Sequence, residues 1–209
     1  MARYRAAVCR QCRREGIKLF LKGTRCFTEK CAIERRNYPP GQHGLGRTKL
    51  TQYGIQLREK QKAKRIYGVL ESQFRRYFAW AEAERGITGE NLLKLLERRL
   101  DNVVFRLGMA ASRREARQMI GHGHIQVNGH KVNIPSYQLK AGDVVQVRES
   151  SRSHKGVLGS REATQHMSKP GWIDVSLESL KATITAAPKR DELTQIPINE
   201  QLIVELYSK

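Results

Sequence analysis

Ser112-Arg-Arg-Glu-Ala-Arg-Gln-Met-Ile-Gly-His-Gly-His-Ile-Gln-Val-Asn-Gly-His-Lys131 decides the fold of this chain. It reads as a short cationic helix that stops at glycine and turns directly into a β-hairpin. Ser112 and Glu115 have the spacing of a capping box, so the helix starts at Arg113. Ala116, Met119 and Ile120 recur at helical spacing and form a face that docks on a core. Away from that face, Arg113 and Arg114 lie in the first turn and Arg117 one turn on. Free N–H groups at a helix start attract anions, and guanidinium groups beside them hold phosphate bidentately. Gly121 and Gly123 end the helix, Ile125 and Val127 alternate as in a strand, and Asn128-Gly129 is a strong two-residue hairpin turn. Gly123, His124 and Asn128 let such a hairpin approach a partner closely, flanked by His122 and Lys131. No acid–base partner promotes the histidines to catalysts. The segment reads as a device for holding a folded nucleic-acid backbone.

Working outward, Leu92, Leu93, Leu96, Leu100, Val103, Val104 and Leu107 form an apolar helical stripe ending at Gly108, with a break expected near Arg98-Arg99. After the hairpin, Ala141-Gly142-Asp143 is a turn and 144–148 a further strand, so a small α/β unit is expected over about 99–150. Residues 150–170 are Ser-, Gly- and Lys-rich and read as a surface loop; Gly171–Val175 reads as a strand with Trp172 in the core; 179–195 is weakly patterned. Upstream, helical periodicity begins near Thr51. Arg58, Lys62 and Arg65 recur at i, i+4, i+7, and Glu59 is the sole acid from 51 to 65. A solvated face leaves that repulsion unexplained, so phosphate contact is the favoured reading. Phe74, Tyr77, Phe78 and Ala81 share the face of a further helix and read as core rather than as a base-stacking platform.

The charge supports a polyanionic partner. Among 209 residues, 39 Lys and Arg face 20 Asp and Glu, a net of +19, and residues 1–65 carry +14 of it. Such an excess opposes folding by self-repulsion and is rare in a cytosolic enzyme for small metabolites. No export signal or membrane-length apolar run is visible, so a cytoplasmic location without membrane contact is expected.

All four cysteines lie in the first 31 residues, as Cys9-x2-Cys12-x13-Cys26-x4-Cys31. Two close pairs separated by a loop have the spacing of a four-thiolate metal knuckle. Disulfides are the competing reading, opposed by the lack of an export signal, and free thiols the other. Zinc is the default ion, and an iron–sulfur cluster uses the same four thiolates. Residues 1–45 hold few apolar side chains, so metal would supply the folding energy. The knuckle would present Arg3, Arg10, Arg13, Arg14, Lys18, Arg35 and Arg36. Four thiolates leave no open position for catalysis.

These residues together resemble a known family, that of the fourth protein of the bacterial small ribosomal subunit (S-four). The resemblance runs nearly end to end. It is carried by Cys9–Cys31, Arg35-Arg-Asn-Tyr-Pro-Pro-Gly-Gln-His-Gly44, Leu57-Arg-Glu-Lys-Gln-Lys62, Leu96-Glu-Arg-Arg-Leu-Asp-Asn-Val-Val104, Ser112–Gly129 and Asn199-Glu-Gln-Leu202, and is weakest over 150–195. It implies an α+β fold: an N-terminal knuckle and basic loop (1–45), a mostly helical domain (46–98, completed by 196–209), and an inserted domain (99–195) carrying the RNA-binding module. It implies a structural, non-enzymatic protein that binds the 5′ domain of small-subunit ribosomal RNA at a helix junction early in assembly. The family neighbours the fifth small-subunit protein, influences decoding accuracy and lines the messenger entry channel, a role carried here onto Arg47 and Lys49. Arg99 joins the RNA-binding candidates, and the chain is expected to act as a single copy.

Two other classes compete. The same module occurs on RNA-modifying enzymes, and Asp101 in Arg99-Leu-Asp101 superficially matches the aspartate of a pseudouridine synthase; its place inside a leucine-rich helical stripe favours a structural role. A zinc-finger DNA regulator would need a His pair and recognition-helix layout that this cysteine spacing lacks.

Overall fold

The computed structural model describes residues 4–46, 49–164, 169–176, 180–193 and 197–208. Arg3 and Arg47 fall outside them. The chain divides into two compact units, residues 1–93 with 197–209, and residues 94–196.

In the first unit, α1 (Cys9–Glu15) and α2 (Ala32–Arg35) flank a 3-10 turn at Gly23–Phe27, and α3 (Gln52–Tyr67) follows. Thr51 caps α3, its hydroxyl accepting the Gly54 N–H at 3.1 Å. α4 (Glu71–Ala83) buries Phe74, Tyr77, Phe78 and Ala81, as their spacing predicts. α5 (Thr88–Glu97) buries Leu92, Leu93 and Leu96 and runs on into the second unit.

In the second unit, α6 (Leu100–Arg106) follows a break at Arg99, which adopts extended backbone and bridges Gln138. The Leu139 N–H bonds the Arg98 carbonyl at 3.0 Å and the Leu100 N–H that of Tyr137 at 2.9 Å, so the break is where a strand-like segment docks. α7 (Arg113–Gly121) leads into β1 (Ile125–Val127), β2 (His130–Lys131) and β3 (Val144–Val147). α8 (Lys155–Thr164), β4 (Ile173–Ser176) and β5 (Lys181–Ile184) complete the unit. The five strands form one antiparallel sheet in the order β2-β1-β3-β5-β4. Its inward residues, among them Ile125, Val145, Val147, Ala182 and Ile184, meet Val103, Val104, Ala116 and Ile120 in one core. Trp172 is 2 % exposed within it.

Back in the first unit, α9 (Glu200–Tyr207) packs on α3. Gln56 Nε2 donates to Glu205 Oε2 at 2.9 Å, the Asn199 N–H to Glu59 Oε1 at 2.7 Å, and the Tyr207 ring stacks on Phe78 with centroids 4.4 Å apart.

Two expectations are corrected. Residues 155–164 are a helix rather than a loop, and Lys181–Ile184 is an interior strand of the sheet. The inward face of α8 carries Val157, Ser160 and Thr164, all buried. Ser160 donates to Glu115 Oε1 at 3.0 Å and the Thr164 hydroxyl bonds the Gly108 carbonyl at 2.7 Å. Polar anchors replace the apolar stripe that a sequence pattern would need.

Candidate nucleic-acid interface

The α7 cap forms as its sequence requires. The Ser112 hydroxyl accepts the Glu115 N–H at 3.3 Å, and Glu115 Oε2 reaches back to the Ala111 N–H at 2.9 Å. The α7 arginines then separate by environment. Arg114 is exposed and has no ion-pair partner among the described residues. Arg113 donates from Nε to Asn102 Oδ1 at 2.7 Å and lies over the Phe105 ring at 4.5 Å. Arg117 donates from Nε to Asp101 Oδ2 at 2.6 Å. Asp101 also accepts from Arg99 Nε at 3.0 Å and Nη2 at 2.7 Å, and the Arg99 and Asp101 side chains are 2 % and 1 % exposed. Arg99 is therefore a core ion-pair member and is corrected as an RNA contact: its guanidinium has no surface to offer. Asp101 is a buried acid holding two arginines.

Gly121 is the last residue of α7, and Gly123 is the left-handed residue that closes it. The Gly123 N–H bonds the Ile120 carbonyl at 2.9 Å and the His124 N–H that of Met119 at 3.0 Å, the paired bonds of a Schellman ending. Gly123 takes φ +78°, and a Cβ there would stand 2.2 Å from Lys131 Cε, so the lysine stem lies across the glycine. Asn128 and Gly129, at φ +50° and +80°, make the hairpin turn. The Asn128 side chain is occupied internally: Nδ2 donates to Asp143 Oδ1 at 2.9 Å and Oδ1 accepts the Val144 N–H at 2.8 Å. It fixes the hairpin on β3 while Lys131 and His122 stand exposed.

In the first unit, the α3 cations find acids within the helix and elsewhere in sequence. Glu15, its side chain 2 % exposed, pairs with Arg65 and lies 3.9 Å from Arg58 Nη2. Burial pushes the Glu15 carboxyl above the usual carboxylate range against the pull of Arg58, Arg65 and Lys62. Lys62 donates to Glu59 at 2.7 Å and to the Pro197 carbonyl at 3.0 Å. Lys60 and Lys64 both bind Glu71, at 2.8 and 2.9 Å. The repulsion that argued for phosphate contact is thus met largely within the fold. Arg13 likewise donates to the Tyr38 carbonyl at 2.9 Å and covers the Tyr38 ring at 4.7 Å, pinning the Pro-Pro-Gly loop. Lys18 bonds Glu34 at 2.6 Å. Arg10, Arg14, Arg35, Arg36 and Lys49 are exposed.

The four cysteines are all free thiols and line one small cavity with Val8, Leu21 and Lys22. The Lys22 N–H points at Cys26 Sγ at 3.3 Å. Burial pushes the Cys12 thiol up to about 11, with the neighbouring cysteines adding to the rise. Among the described residues no three His, Cys, Asp or Glu side chains form a set that could hold a metal ion. The donor types suit a four-thiolate site, and the sulfurs are not drawn into ligating geometry.

Comparison with known proteins agrees with this layout. Residues 3–97 match the Ribosomal protein S4/S9 N-terminal domain, and residues 98–145 the S4 domain. The chain is similar along its full length to small ribosomal subunit proteins uS4: 59% identical to that of Pelotomaculum thermopropionicum and 60% to that of Geobacter sp. strain M21, with all of each chain covered. That of Halothermothrix orenii is 58% identical over the same span. The chain belongs to the uS4 family. The matched S4 domain spans α6, α7 and the hairpin, where the module opens. Sequence reasoning favoured a structural Asp101 but missed its arginine partners Arg99 and Arg117. The signal for Asp101 was present, an acid amid Arg98, Arg99, Arg106 and Arg117.

Proposed function

We propose that this uS4 chain is a structural constituent of the small ribosomal subunit that grips ribosomal RNA by its backbone, working in the cytoplasm within that particle. The observation that carries the reading is α7: a capped helix start bearing exposed Arg114, docked on its own core through Ala116, Met119 and Ile120, within a chain related end to end to small-subunit proteins. Recognition is of shape and phosphate, as structured RNA is usually read. The finer assignments follow the family resemblance: a helix junction in the 5′ domain, early assembly, contact with the fifth small-subunit protein, influence on decoding accuracy, a place at the messenger entry channel near Lys49, and a single copy per particle. Footprinting on naked small-subunit RNA tests this. Protection clustered at one 5′-domain junction is the expected result, and scattered protection refutes it. Arg114→Ala should weaken binding and shallow the salt slope by about one.

The protein acts without catalysing a reaction. Asp101, the residue nearest to a catalytic candidate, is buried and satisfied by two guanidinium groups, so it has neither access to a base nor a free oxygen to attack one. Uridine modification by purified protein on ribosomal RNA would overturn this. Zinc bound by Cys9, Cys12, Cys26 and Cys31 organises the N-terminal segment, and an iron–sulfur cluster is the alternative on the same thiolates. When bound, the metal would supply folding energy to a segment poor in apolar residues. Stoichiometric metal in purified protein, lost in Cys12→Ser together with the order of residues 4–46, is expected; unchanged order after chelation sinks the assignment.

A further inference from the structure

Two phenyl rings of the cysteine-bearing segment stack on each other in the open. Phe20 is 40 % exposed and Phe27 70 %, with ring centroids 5.1 Å apart and planes 30° from parallel. The other stacked pairs among the described residues place Tyr207 on Phe74 and Phe78, both buried in the core of the first unit. A ring as exposed as Phe27, with Phe20 covering one side, presents its other face to solvent.

Both rings are held by their backbone neighbours. Leu19 and Cys26, which precede them, are buried. Phe27 ends the 3-10 turn Gly23–Phe27, tied by the Lys22 N–H on Cys26 Sγ at 3.3 Å and by the Thr28 hydroxyl on the Arg25 carbonyl at 3.1 Å. Phe20 takes φ +50°, in the left-handed region that L side chains avoid and glycine enters freely. The segment therefore bears backbone strain to keep an apolar ring partly in water, which burial does not explain.

The surroundings point to the ligand. From Gly16 to Cys31 the chain carries Lys18, Lys22, Arg25 and Lys30 against one acid, Glu29. Lys18 is paired with Glu34, whereas Lys22, Arg25 and Lys30 are exposed and have no ion-pair partner among the described residues. An open aromatic face ringed by free cations suits an unpaired nucleobase, with the ring meeting the base and the cations meeting the phosphates on either side. A stable protein interface needs about 1,000 Å² or more, and two partly covered rings among polar neighbours offer a fraction of that.

We propose that Phe20 and Phe27 form a stacking platform for one unpaired base of the bound RNA. The base lies on the open face of Phe27, and Phe20 backs that ring. Every base has a π-face, so the platform selects unpaired over paired nucleotides rather than one base over another. This inference rests on the RNA-binding reading for its ligand and adds a base contact to the grip on phosphate.

Two measurements on the full chain test it. In the first, Phe27→Trp in a Trp80→Phe background puts an indole at the site, the remaining Trp172 being buried. A small-subunit 5′-domain RNA fragment, or a single-stranded oligoadenylate, should quench the introduced indole. Heparin, a polyanion without bases, should not. In the second, affinity for the RNA fragment is measured across a salt series. Phe27→Leu keeps an apolar side chain but loses the aromatic face; it should bind about 5- to 100-fold more weakly with an unchanged salt slope. Phe27→Tyr should bind as the parent does, and heparin affinity should be the same in all three. Phe20→Leu, which removes only the backing ring, should show a smaller loss in the same direction. The platform is overturned if RNA binds without quenching the indole, if heparin quenches it as RNA does, or if Phe27→Leu binds RNA like the parent. It is also overturned if Phe27→Leu and Phe27→Tyr lose affinity equally, or if Phe27→Leu keeps RNA affinity and loses a protein partner instead. Failure of the parent to bind either RNA or heparin would refute the RNA-binding reading, and adenosine monophosphate titrated against the Phe27 ring signals would still decide the platform.

Discussion

Replacing Asp101 probes the buried ion-pair network beneath the RNA-binding module. The carboxylate is 1 % exposed, receives three N–H donors from Arg99 and Arg117 at 2.6 to 3.0 Å, and its own N–H bonds the Pro135 carbonyl at 3.1 Å. Asp101→Ala leaves the Arg99 guanidinium charged in a site where its side chain is 2 % exposed. Removing one member of a buried ion pair costs about 3–5 kcal/mol, because the survivor is left uncompensated. Asp101→Asn keeps the shape and one oxygen acceptor but loses the charge, which places its cost at about 2–3 kcal/mol. Trp172 is buried in the same unit, whereas Trp80 lies in the other and is 49 % exposed, so a Trp80→Phe background makes fluorescence report the second unit. With a urea dependence of about 2 kcal/mol per molar, the Ala midpoint should fall by about 2 M and the Asn midpoint by about 1 M. Arg117→Ala added to Asp101→Ala should be less than additive by about 1 kcal/mol or more, since the pair shares one network. A folded Asp101→Ala chain with an unshifted midpoint would refute the assignment of Asp101 as structural and reopen a chemical role.

Other outcomes follow from single sites. Hydrogen bonds from Lys60 and Lys64 overcome the opposing effect of burial and hold the Glu71 carboxyl down to about 2. A depressed carboxyl stabilises the fold above its unfolded value of about 4.5, and that stability is lost as the pH falls towards about 2. The shift corresponds to about 3 kcal/mol at face value, and with the side chain a third exposed about 1 kcal/mol survives screening. Glu71→Gln should therefore lower thermal stability at about pH 6, with the difference shrinking below about pH 4.5 and closing only as the pH reaches about 2; a constant difference across that range contradicts the pairing. Gly123→Ala should destabilise the second unit by about 1–2 kcal/mol through its left-handed backbone and displace Lys131, whereas Gly129→Ala, with open space around it, carries the backbone cost alone. Gly121→Ala, helical and unobstructed, should stabilise by about 0.5–1 kcal/mol, and destabilisation there would contradict the placement of the left-handed closing residue at Gly123 rather than Gly121.

The α7 cap, the Asn128-Gly129 hairpin, the aromatic face of α4 and the break at Arg99 were legible because each is set by residues within a few positions of one another. What was not legible depends on distance. Helix α8 has two glycines and a buried face of Ser160 and Thr164, whose partners Glu115 and Gly108 lie 45 and 56 residues away. Strand β5 offers only Ala182 and Ile184 to the core and is held by its neighbours on both sides. The internal partners of the α3 cations were missed for the same reason. Its neutralising carboxylates, Glu15 and Glu71, lie outside the window in which charge was counted, and Glu15 is 50 residues from Arg65. Arg99, too, looks identical to a surface arginine until the core closes over it.

The way the fold uses its acids predicts the salt dependence of RNA binding. Of the RNA-binding cations named from sequence and described by the structure, Arg13, Arg58, Lys62, Arg65, Arg99, Arg113 and Arg117 are engaged by carbonyls, carboxylates or Asn102 within the chain. Arg10, Arg14, Arg35, Arg36, Lys49, Arg114 and Lys131 are exposed. Internal pairs are neutral, so they leave the net charge of +19 unchanged and concentrate it on the exposed set. Each phosphate neutralised contributes about 0.7 to 0.9 to the slope of log affinity against log salt, so seven contacts give a slope of about −5 to −6 and fourteen about −10 to −13. A measured slope near the smaller value, with Arg114→Ala reducing it and Arg117→Ala lowering stability instead, is the expected result. A slope near the larger value would mean that the internal partners release their arginines and lysines to the RNA, and that the ion pairs at Glu15 and Asp101 are the resting state of a rearranging surface.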